Sequence, residues 1–227
     1  MTILSSPTSP MGRGRVADLS GAHPSIERTV SLLERDGQAA SAVTLARSFA
    51  TTVEDLWDAV TNGERIPRWF LPISGELRLG GRYQLEGNAG GEITACEPQA
   101  HFALTWEFGG DVSWVEVRVA DDGAGRARLT LTHTAHLSEH WDTYGPGTTG
   151  VGWEMGLLGL AIHLAASDEP MPDEAAFATS PEGKAFITGS SEAWGQAAVA
   201  AGTDRDAAQA AAKRTTAFYT GEPAAAD

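Results

Sequence analysis

The run VGWEMGLLGLAIHLAA at residues 151–166 decides the fold, because it predicts a long helix that is apolar on two sides. One stripe carries Trp153 and three leucines, and the other carries a methionine, a leucine and an isoleucine. A helix with two apolar faces is buried between other elements. Gly152, Gly156 and Gly159 each lower its helix propensity by up to about 1 kcal/mol. They indicate either close packing on a sheet or space for a guest molecule.

The segment HWDTYGPG at residues 140–147 places aromatic and polar side chains just before this helix. Aromatic rings with polar tips, held beside a rigid Gly-Pro-Gly turn, are typical of the wall of a binding cavity. His140, Asp142 and Tyr144 are candidate catalytic residues, since each could act as a general acid or base on a nearby carbonyl group. The other interpretation is that they hold the loop in place through hydrogen bonds. No Gly-x-Ser-x-Gly motif or Cys-His pair accompanies them, so no catalytic role is assigned.

Upstream of the helix, short runs of alternating apolar and polar residues predict an antiparallel meander with one buried face. The stretch from about residue 29 to residue 49 is strand-like, and Val43, Leu45, Arg47 and Phe49 share one face of it. The later runs are separated by glycine-rich turns and comprise residues 76–79, 82–85, 92–96, 102–108, 115–119 and 129–134.

Two short helices are predicted between the first strands and the meander. Thr51, with Glu54 three residues later, forms a capping box that starts the first helix. Asn62-Gly63 ends that helix. The second helix tolerates Pro67 in its first turn and contains Ile66, Trp69 and Phe70.

Both ends of the chain differ in composition from the middle. Residues 1–24 are rich in Ser, Pro, Gly and Arg and are predicted to form a disordered leader, in which Met11 is an alternative start to Met1. Residues 167–227 are predicted to be a linker followed by a helical extension.

The extension starts with a Pro- and acid-rich linker at residues 169–174. Ser180 before Pro181 predicts the start of a helix that runs to about Ala200. A second helix, from about residue 204 to residue 218, is predicted to be capped by Thr203 with Asp206 and ended by Gly221. Both helices are alanine-rich with few large apolar anchors, so they are expected to pack over the main domain or a partner.

Composition excludes several functional classes. The 227 residues carry a formal net charge of −14, with an isoelectric point of about 4.7. This charge argues against nucleic acid and anionic membranes as partners. Cys96 is the single cysteine, which is typical of a reducing compartment. With no secretory signal and no apolar run that could span about 30 Å of hydrocarbon, a cytoplasmic protein is predicted.

The order of elements and the residues filling it resemble the SRPBCC superfamily, also called START-like or helix-grip proteins. Within it, the chain is similar to the subfamily of the activator of heat-shock-protein-90 ATPase homologue, in a bacterial branch with a C-terminal helical extension. The resemblance runs from about residue 29 to residue 164. The segments that carry it are residues 53–61, 68–70, 77–83, 91–93, 104–107 and 152–153.

The resemblance implies an α+β helix-grip fold over residues 25–166. In this fold a curved antiparallel sheet is wrapped around the long C-terminal helix, with two short helices after the first strand and a cavity between sheet and helix. Members of the superfamily bind lipids or plant hormones, cyclise aromatic polyketides, or dock on chaperones. The fold does not decide among these activities.

The candidate ligand-binding residues are side chains expected to line this cavity. They are Trp69, Phe70, Tyr83, Trp106, His133, Trp141, Tyr144, Trp153 and Leu157.

Two further features bear on the site. The spacing of His133, His136 and His140 suggests a metal site, but His133 and His136 fall on opposite faces of a strand, so neither a metal nor a cofactor is predicted. Glu154 lies inside the apolar helix. It is expected either to pair with an arginine or histidine, preferably in the C-terminal extension, or to face the cavity with a raised pKa.

The leading hypothesis is a non-catalytic binding protein for a hydrophobic or aromatic small molecule. The first alternative is a cofactor-independent cyclase, dehydratase or hydrolase that uses His140, Asp142 or Tyr144. The second is a chaperone-ATPase-activator-like interaction protein. A homodimer or a chaperone partner is left open by the sequence.

Overall fold

The computed structural model describes residues 26–165 and 174–222. The predicted leader at residues 1–24 lies outside the described residues, as does all of the predicted linker except Glu174. No helix in the described ranges combines the length and apolarity of a membrane span.

Eight strands form one sheet in the described part of the chain. Their bounds are β1 (Glu27–Arg35), β2 (Gln38–Phe49), β3 (Ile73–Gly75), β4 (Arg82–Leu85), β5 (Gly90–Glu97), β6 (His101–Phe108), β7 (Asp111–Asp121) and β8 (Ala127–His136).

The order across the sheet is β1-β2-β8-β7-β6-β5-β4-β3, and every neighbouring pair is antiparallel. Strands β3 to β8 therefore form the predicted meander, and the β1–β2 hairpin joins its far end through β8. The predicted helix-grip α+β class is confirmed, because this sheet lies against one long helix.

The first strand of the meander differs from the prediction. Residues 76–79, predicted as a strand, form a loop, and the strand β3 precedes them at Ile73–Gly75. The chain turns back on itself here, with Arg78 N donating to Glu76 O at 2.9 Å and Gly81 N donating to Arg78 O at 2.8 Å. A Cβ atom at Gly81 would lie 2.1 Å from Glu76 O, so this tight loop requires a glycine.

Six α-helices and one 3₁₀ turn are present among the described residues. They are α1 (Val53–Thr61), the 3₁₀ turn (Ile66–Arg68), α2 (Glu139–Tyr144), α3 (Gly147–Ala165), α4 (Glu174–Thr179), α5 (Pro181–Ala200) and α6 (Arg205–Thr220).

The caps of α1 and α6 each lie one residue after the predicted position. Thr52, not Thr51, caps α1 by accepting a hydrogen bond from Asp55 N at 3.2 Å. The Thr51 hydroxyl instead donates to the Asp55 carboxylate at 2.5 Å. Asp204, not Thr203, caps α6 and accepts from two first-turn amides at 3.0 Å each. In both places two capping residues are adjacent, and the one immediately before the helix takes the cap.

The segment around residues 139–165 contains more helix than predicted. Residues 139–144 form the short helix α2, capped by Ser138 and ended by Gly145 at φ 56°. The long helix α3 begins at Gly147 rather than Val151 and has 19 residues. The second predicted short helix is a single 3₁₀ turn.

The core extends from the sheet through α3 to α5. Leu45 on β2, Leu160 on α3 and Ile187 on α5 are all fully buried in one apolar cluster. Helix α5 contacts both α3 and β1, and α6 packs on α5 and α2. The fully buried Trp194 of α5 lies against Gly150 of α3, where a Cβ atom would be 2.2 Å from the indole ring.

Candidate binding cavity

A cavity of about 290 Å³ lies between α3, α1 and the inner face of the sheet. Helix α3 contributes Trp153, Gly156 and Leu157 to its wall. The remaining wall is mostly apolar and comes from α1, the 3₁₀ turn and strands β3 to β8. These lining residues include Trp57, Val60, Trp69, Phe70, Tyr83, Ile93, Phe102, Leu104, Trp106, Val115, Val117, Leu129 and Leu131.

The register of the sheet determines which side chains face the cavity. Phe102 pairs with Val117, and Val117 pairs with Leu131, so these three side chains form one row on the inner face. Residues paired across antiparallel strands point to the same side of a sheet.

A register shift in β5 adds two residues to this face. Ile93 pairs with Leu104, but after the irregularity Cys96 pairs with Phe102. A bulge inserts one residue and changes the alternation of side chains. Both Ile93 and Cys96 consequently line the cavity, although they are three residues apart.

Four aromatic rings form a continuous layer along the cavity. Phe70 is stacked between Trp69, at a centroid distance of 5.4 Å, and Trp153, at 6.0 Å. Trp106 meets Trp153 edge-on at 5.0 Å. The Trp69 indole donates to Ala59 O at 2.9 Å, which fixes this end of the layer on α1. The layer presents flat apolar surfaces, and the indole N–H groups of Trp69 and Trp153 are already bonded within the protein.

His133 supports this layer from the sheet side. The Trp153 indole N–H donates to His133 Nδ1 at 3.0 Å, so this nitrogen must be the unprotonated acceptor. The Nε2–H consequently donates to Ser113 Oγ, 2.8 Å away. Ser113 Oγ donates in turn to Trp106 O at 3.2 Å. Burial lowers the pKa of His133 to about 4, which keeps the imidazole neutral.

The polar groups of the cavity lie at its edges or are already paired. Tyr83 is 5% exposed, and its hydroxyl donates to Thr105 O at 2.8 Å. Burial raises the pKa of Tyr83, so the phenol stays neutral. Thr61 bonds to Trp57 O, and Arg78 is exposed and paired with Glu76. The exposed Cys96 thiol lies at the cavity edge. The cavity therefore offers apolar contact and no buried charge.

Six of the nine predicted ligand-binding residues line this cavity. They are Trp69, Phe70, Tyr83, Trp106, Trp153 and Leu157. His133 lies behind the aromatic layer, and Trp141 and Tyr144 line a second cleft between α2, α5 and α6.

The candidate catalytic residues lie outside the cavity wall. His140 Nε2 is 2.7 Å from Thr148 Oγ1, and its ring is 4.8 Å from that of Tyr144. Asp142 is exposed at the second cleft. His140 therefore ties α2 to the first turn of α3, which is the role expected of a residue that holds the segment in place.

Glu154 is paired with an arginine as expected, but the partner lies on β1 and not in the extension. Arg28 Nε and Nη2 donate to the two carboxylate oxygens at 2.6 and 2.8 Å. Glu154 is 1% exposed, and a bidentate arginine satisfies such a buried carboxylate. The β1–β2 hairpin covers this side of α3, which the local sequence around Glu154 does not reveal.

The three histidines do not converge. His136 Nε2 donates to Arg35 O at 3.1 Å, and its ring meets Trp114 on the outer face of the sheet. Among the described residues no group of three His, Cys, Asp or Glu side chains could hold a metal ion.

Sequence reasoning missed several lining residues, including Trp57, Phe102 and Leu104. Phe102 and Leu104 alternate with Trp106 on β6, so the period of two already placed them on the same face. Cys96 could not be found in this way, because the bulge in β5 interrupts the alternation.

The sequence model of the family described as "Activator of Hsp90 ATPase homolog 1-like protein" matches residues 50–165. The solution structure of CalU16 from Micromonospora echinospora is 30% identical, with a TM-score of 0.66, covering 80% of this chain and 99% of CalU16. The crystal structure of CalU16 is 29% identical, with a TM-score of 0.62, covering 76% of this chain and 98% of CalU16.

A shorter match links the chain to a mammalian protein. The mouse "Activator of 90 kDa heat shock protein ATPase homolog 1" is 33% identical over 76 residues. This match covers 33% of this chain and 22% of the mouse protein, so it spans about a fifth of that relative's length.

Proposed function

The chain belongs to the family of Activator of Hsp90 ATPase homolog 1-like proteins, and we propose that it is a binding protein for a hydrophobic or aromatic small molecule. The observation that carries this proposal is the cavity of about 290 Å³ beside the aromatic layer. Its volume is close to the lower end of the range for small-molecule sites, about 300–1,000 Å³.

The wall indicates the shape and polarity of the ligand. Phe70 and Trp153 lie within 17° of parallel and both line the cavity, so the wall offers flat aromatic surfaces on which a ring can pack. Trp69, Trp153 and Tyr83 have their polar atoms bonded within the protein. A charged group inside the cavity would lose its hydration without gaining a partner there. A compact, uncharged aromatic ring system therefore fits better than a long acyl chain or a charged molecule.

The proposal assigns no reaction. His133 uses both ring nitrogens in the support of Trp153, and its pKa of about 4 keeps it neutral. His140, Asp142 and Tyr144 are absent from the cavity wall. A cyclase or hydrolase mechanism that uses these three residues on a ligand in this cavity has no geometric support.

Filling the cavity tests the proposal. A Cβ atom at Gly156 would lie 3.4 Å from the Phe70 ring, so a leucine there must extend over the cavity wall. We expect Gly156→Leu to weaken binding of the neutral dye N-phenylnaphthylamine by roughly tenfold, measured by dye fluorescence.

The control is Gly189→Leu, the same substitution on α5, where a Cβ atom meets nothing within 4 Å. Both variants are first compared with the unmodified protein by circular dichroism. Unchanged dye affinity in a folded Gly156→Leu variant, or no dye binding by the unmodified chain, would contradict binding in this cavity.

A second candidate function is stimulation of a chaperone ATPase. It is supported by the 33% identity over 76 residues to a protein named as an activator of the 90 kDa heat shock protein ATPase. The test is ATP turnover by an Hsp90 chaperone with and without this chain. Stimulation that saturates with added chain would support the candidate, and unchanged turnover at saturating chain would exclude it for that chaperone.

A further inference from the structure

A second cleft of about 200 Å³ separates the α2–α3 junction from α5 and α6. Residues 144–147 form one side of it, with Trp141 and Asp142 beside them. The other side is built from small residues of α5 and α6, including Gly195, Ala198, Ala208 and Ala211. The cleft is distinct from the cavity between the sheet and α3, and its interpretation does not depend on the proposed function.

The helix α3 begins beside this cleft, and its first amide groups have no partner within the helix. Gly150 N donates to Pro146 O at 2.9 Å, so the amides of Gly147, Thr148 and Thr149 precede the first intrahelical bond. Pro146 stands at the capping position, and its side chain has no oxygen that could accept from them. Gly147 is buried and lines the cleft. The dipole of this 19-residue helix adds a positive potential at the same end.

Ser191 supplies an independent donor from the opposite wall. It is 0% exposed and lines the cleft from α5. Its hydroxyl has no hydrogen-bond partner among the described residues. Buried hydroxyls are normally paired, often with a carbonyl four residues earlier in the helix, so an unpaired one facing a cleft indicates an acceptor on a ligand.

We propose that this cleft binds a small monocarboxylate. The carboxylate accepts hydrogen bonds from the first-turn amides of α3 and from the Ser191 hydroxyl. Its short apolar chain lies against the alanine-lined wall of α5 and α6.

The charge of Asp142 predicts whether substitution of this residue strengthens or weakens ligand binding. Its exposed carboxylate lines the cleft and repels a bound anion. Removing that charge must strengthen carboxylate binding, whereas it would weaken binding of a cation. The protein's net charge of −14 acts in the same direction as Asp142, so added salt should also favour the anion.

The test uses butyrate on the full chain, with butyramide as the neutral analogue and butylamine as the cationic one. Binding is followed by two-dimensional NMR of backbone amides. We expect butyrate to shift the resonances of Gly147, Thr148 and Thr149, and butyramide and butylamine to leave them nearly unchanged.

Three variants locate the site. We expect Ser191→Ala to weaken butyrate binding about tenfold without lowering the melting temperature, because it removes an unpaired buried hydroxyl. Ala207→Leu should block binding from an exposed position at the cleft. Asp142→Asn should strengthen binding about threefold, while Asp121→Asn on β7 should leave it unchanged.

Several results would overturn the proposal. The first is that saturating butyrate leaves the amide resonances of Gly147–Thr149 unshifted. The second is that butyramide binds as tightly as butyrate. The third is that butylamine binds and that Asp142→Asn weakens its binding. Loss of butyrate binding in Gly156→Leu would overturn it too, by placing the anion in the cavity beside the sheet. Failure of dye binding leaves this proposal intact, since the two sites share no lining residue.

Discussion

The neutral imidazole of His133 fixes the orientation of Trp153 in the aromatic layer. Trp153 can only donate, so it requires an unprotonated Nδ1, and Ser113 accepts from the opposite nitrogen. Protonating the ring would place a hydrogen on both nitrogens and would oppose the Trp153 indole with a second donor. The residue keeps a partly exposed surface, yet both nitrogens are bonded inside the structure.

The stability of the protein should fall as the pH falls from about 6.5 to about 4. The pKa of His133 is lowered from 6.5 to about 4 by burial, so in this interval the unfolded chain takes up a proton that the folded chain does not. The stabilising contribution is fully present above pH 6.5. Its loss amounts to at most about 3 kcal/mol. Urea unfolding at a series of pH values measures it.

The matched control is His133→Asn, which keeps an acceptor near the Trp153 indole and removes the titration. The difference in unfolding free energy between the two proteins isolates His133 from His163, whose pKa is also lowered by burial and by the neighbouring Arg65. A pH-independent difference would show that folding does not lower the pKa of His133.

At the scale of elements, the approach of α5 to α3 depends on one glycine. A Cβ atom at Gly150 would lie 2.2 Å from Cε2 and 2.3 Å from Nε1 of Trp194. Trp194 is 0% exposed, so the ring is enclosed by protein and must be displaced from its packed position to make room for a Cβ atom. The two helices touch here through the backbone of one and the indole of the other.

Gly150→Ala should therefore destabilise the protein by about 1–3 kcal/mol, although alanine favours helix. Gly189→Ala on α5, where a Cβ atom meets nothing within 4 Å, should instead stabilise it by about 0.5–1 kcal/mol. The measurement is the melting temperature of each variant, compared with that of the unmodified protein. A Gly150→Ala variant that melts no lower than the unmodified protein would mean that Gly150 is not needed for the packing of α5.

The same elements show what the sequence can reveal. Strands β6 to β8 were predictable because apolar residues alternate along them without interruption. The loop at residues 76–81 was not, since it depends on Gly81 contacting the Glu76 carbonyl. The pairing of Glu154 with Arg28 spans 126 residues, so only the tertiary fold selects this arginine over others. The alternation of apolar and polar residues predicts which side chains of a regular strand face the cavity. It does not predict those that face the cavity because of a bulge.

At the scale of the whole molecule, the sheet, α3 and α5 share one apolar cluster that includes Leu45, Leu160 and Ile187. We expect a single thermal transition with the same midpoint by tryptophan fluorescence and by far-ultraviolet circular dichroism, as for one cooperative unit. Two separate midpoints would show that α5 and α6 unfold independently of the sheet. The domain boundary predicted near residue 166 would then also be a thermodynamic boundary.

The pairing of β2 with β8 also governs how the chain can reach its fold. Val43 lies opposite His133, a separation of 90 residues. During synthesis the β1–β2 hairpin cannot pair with β8 until strands β3 to β8 have left the ribosome. Pairings between such distant residues slow folding. Until β8 arrives, the apolar side of β2 has neither its neighbouring strand nor α3 to cover it. The nascent chain therefore passes through a stage at which β2 is a target for chaperones and for aggregation.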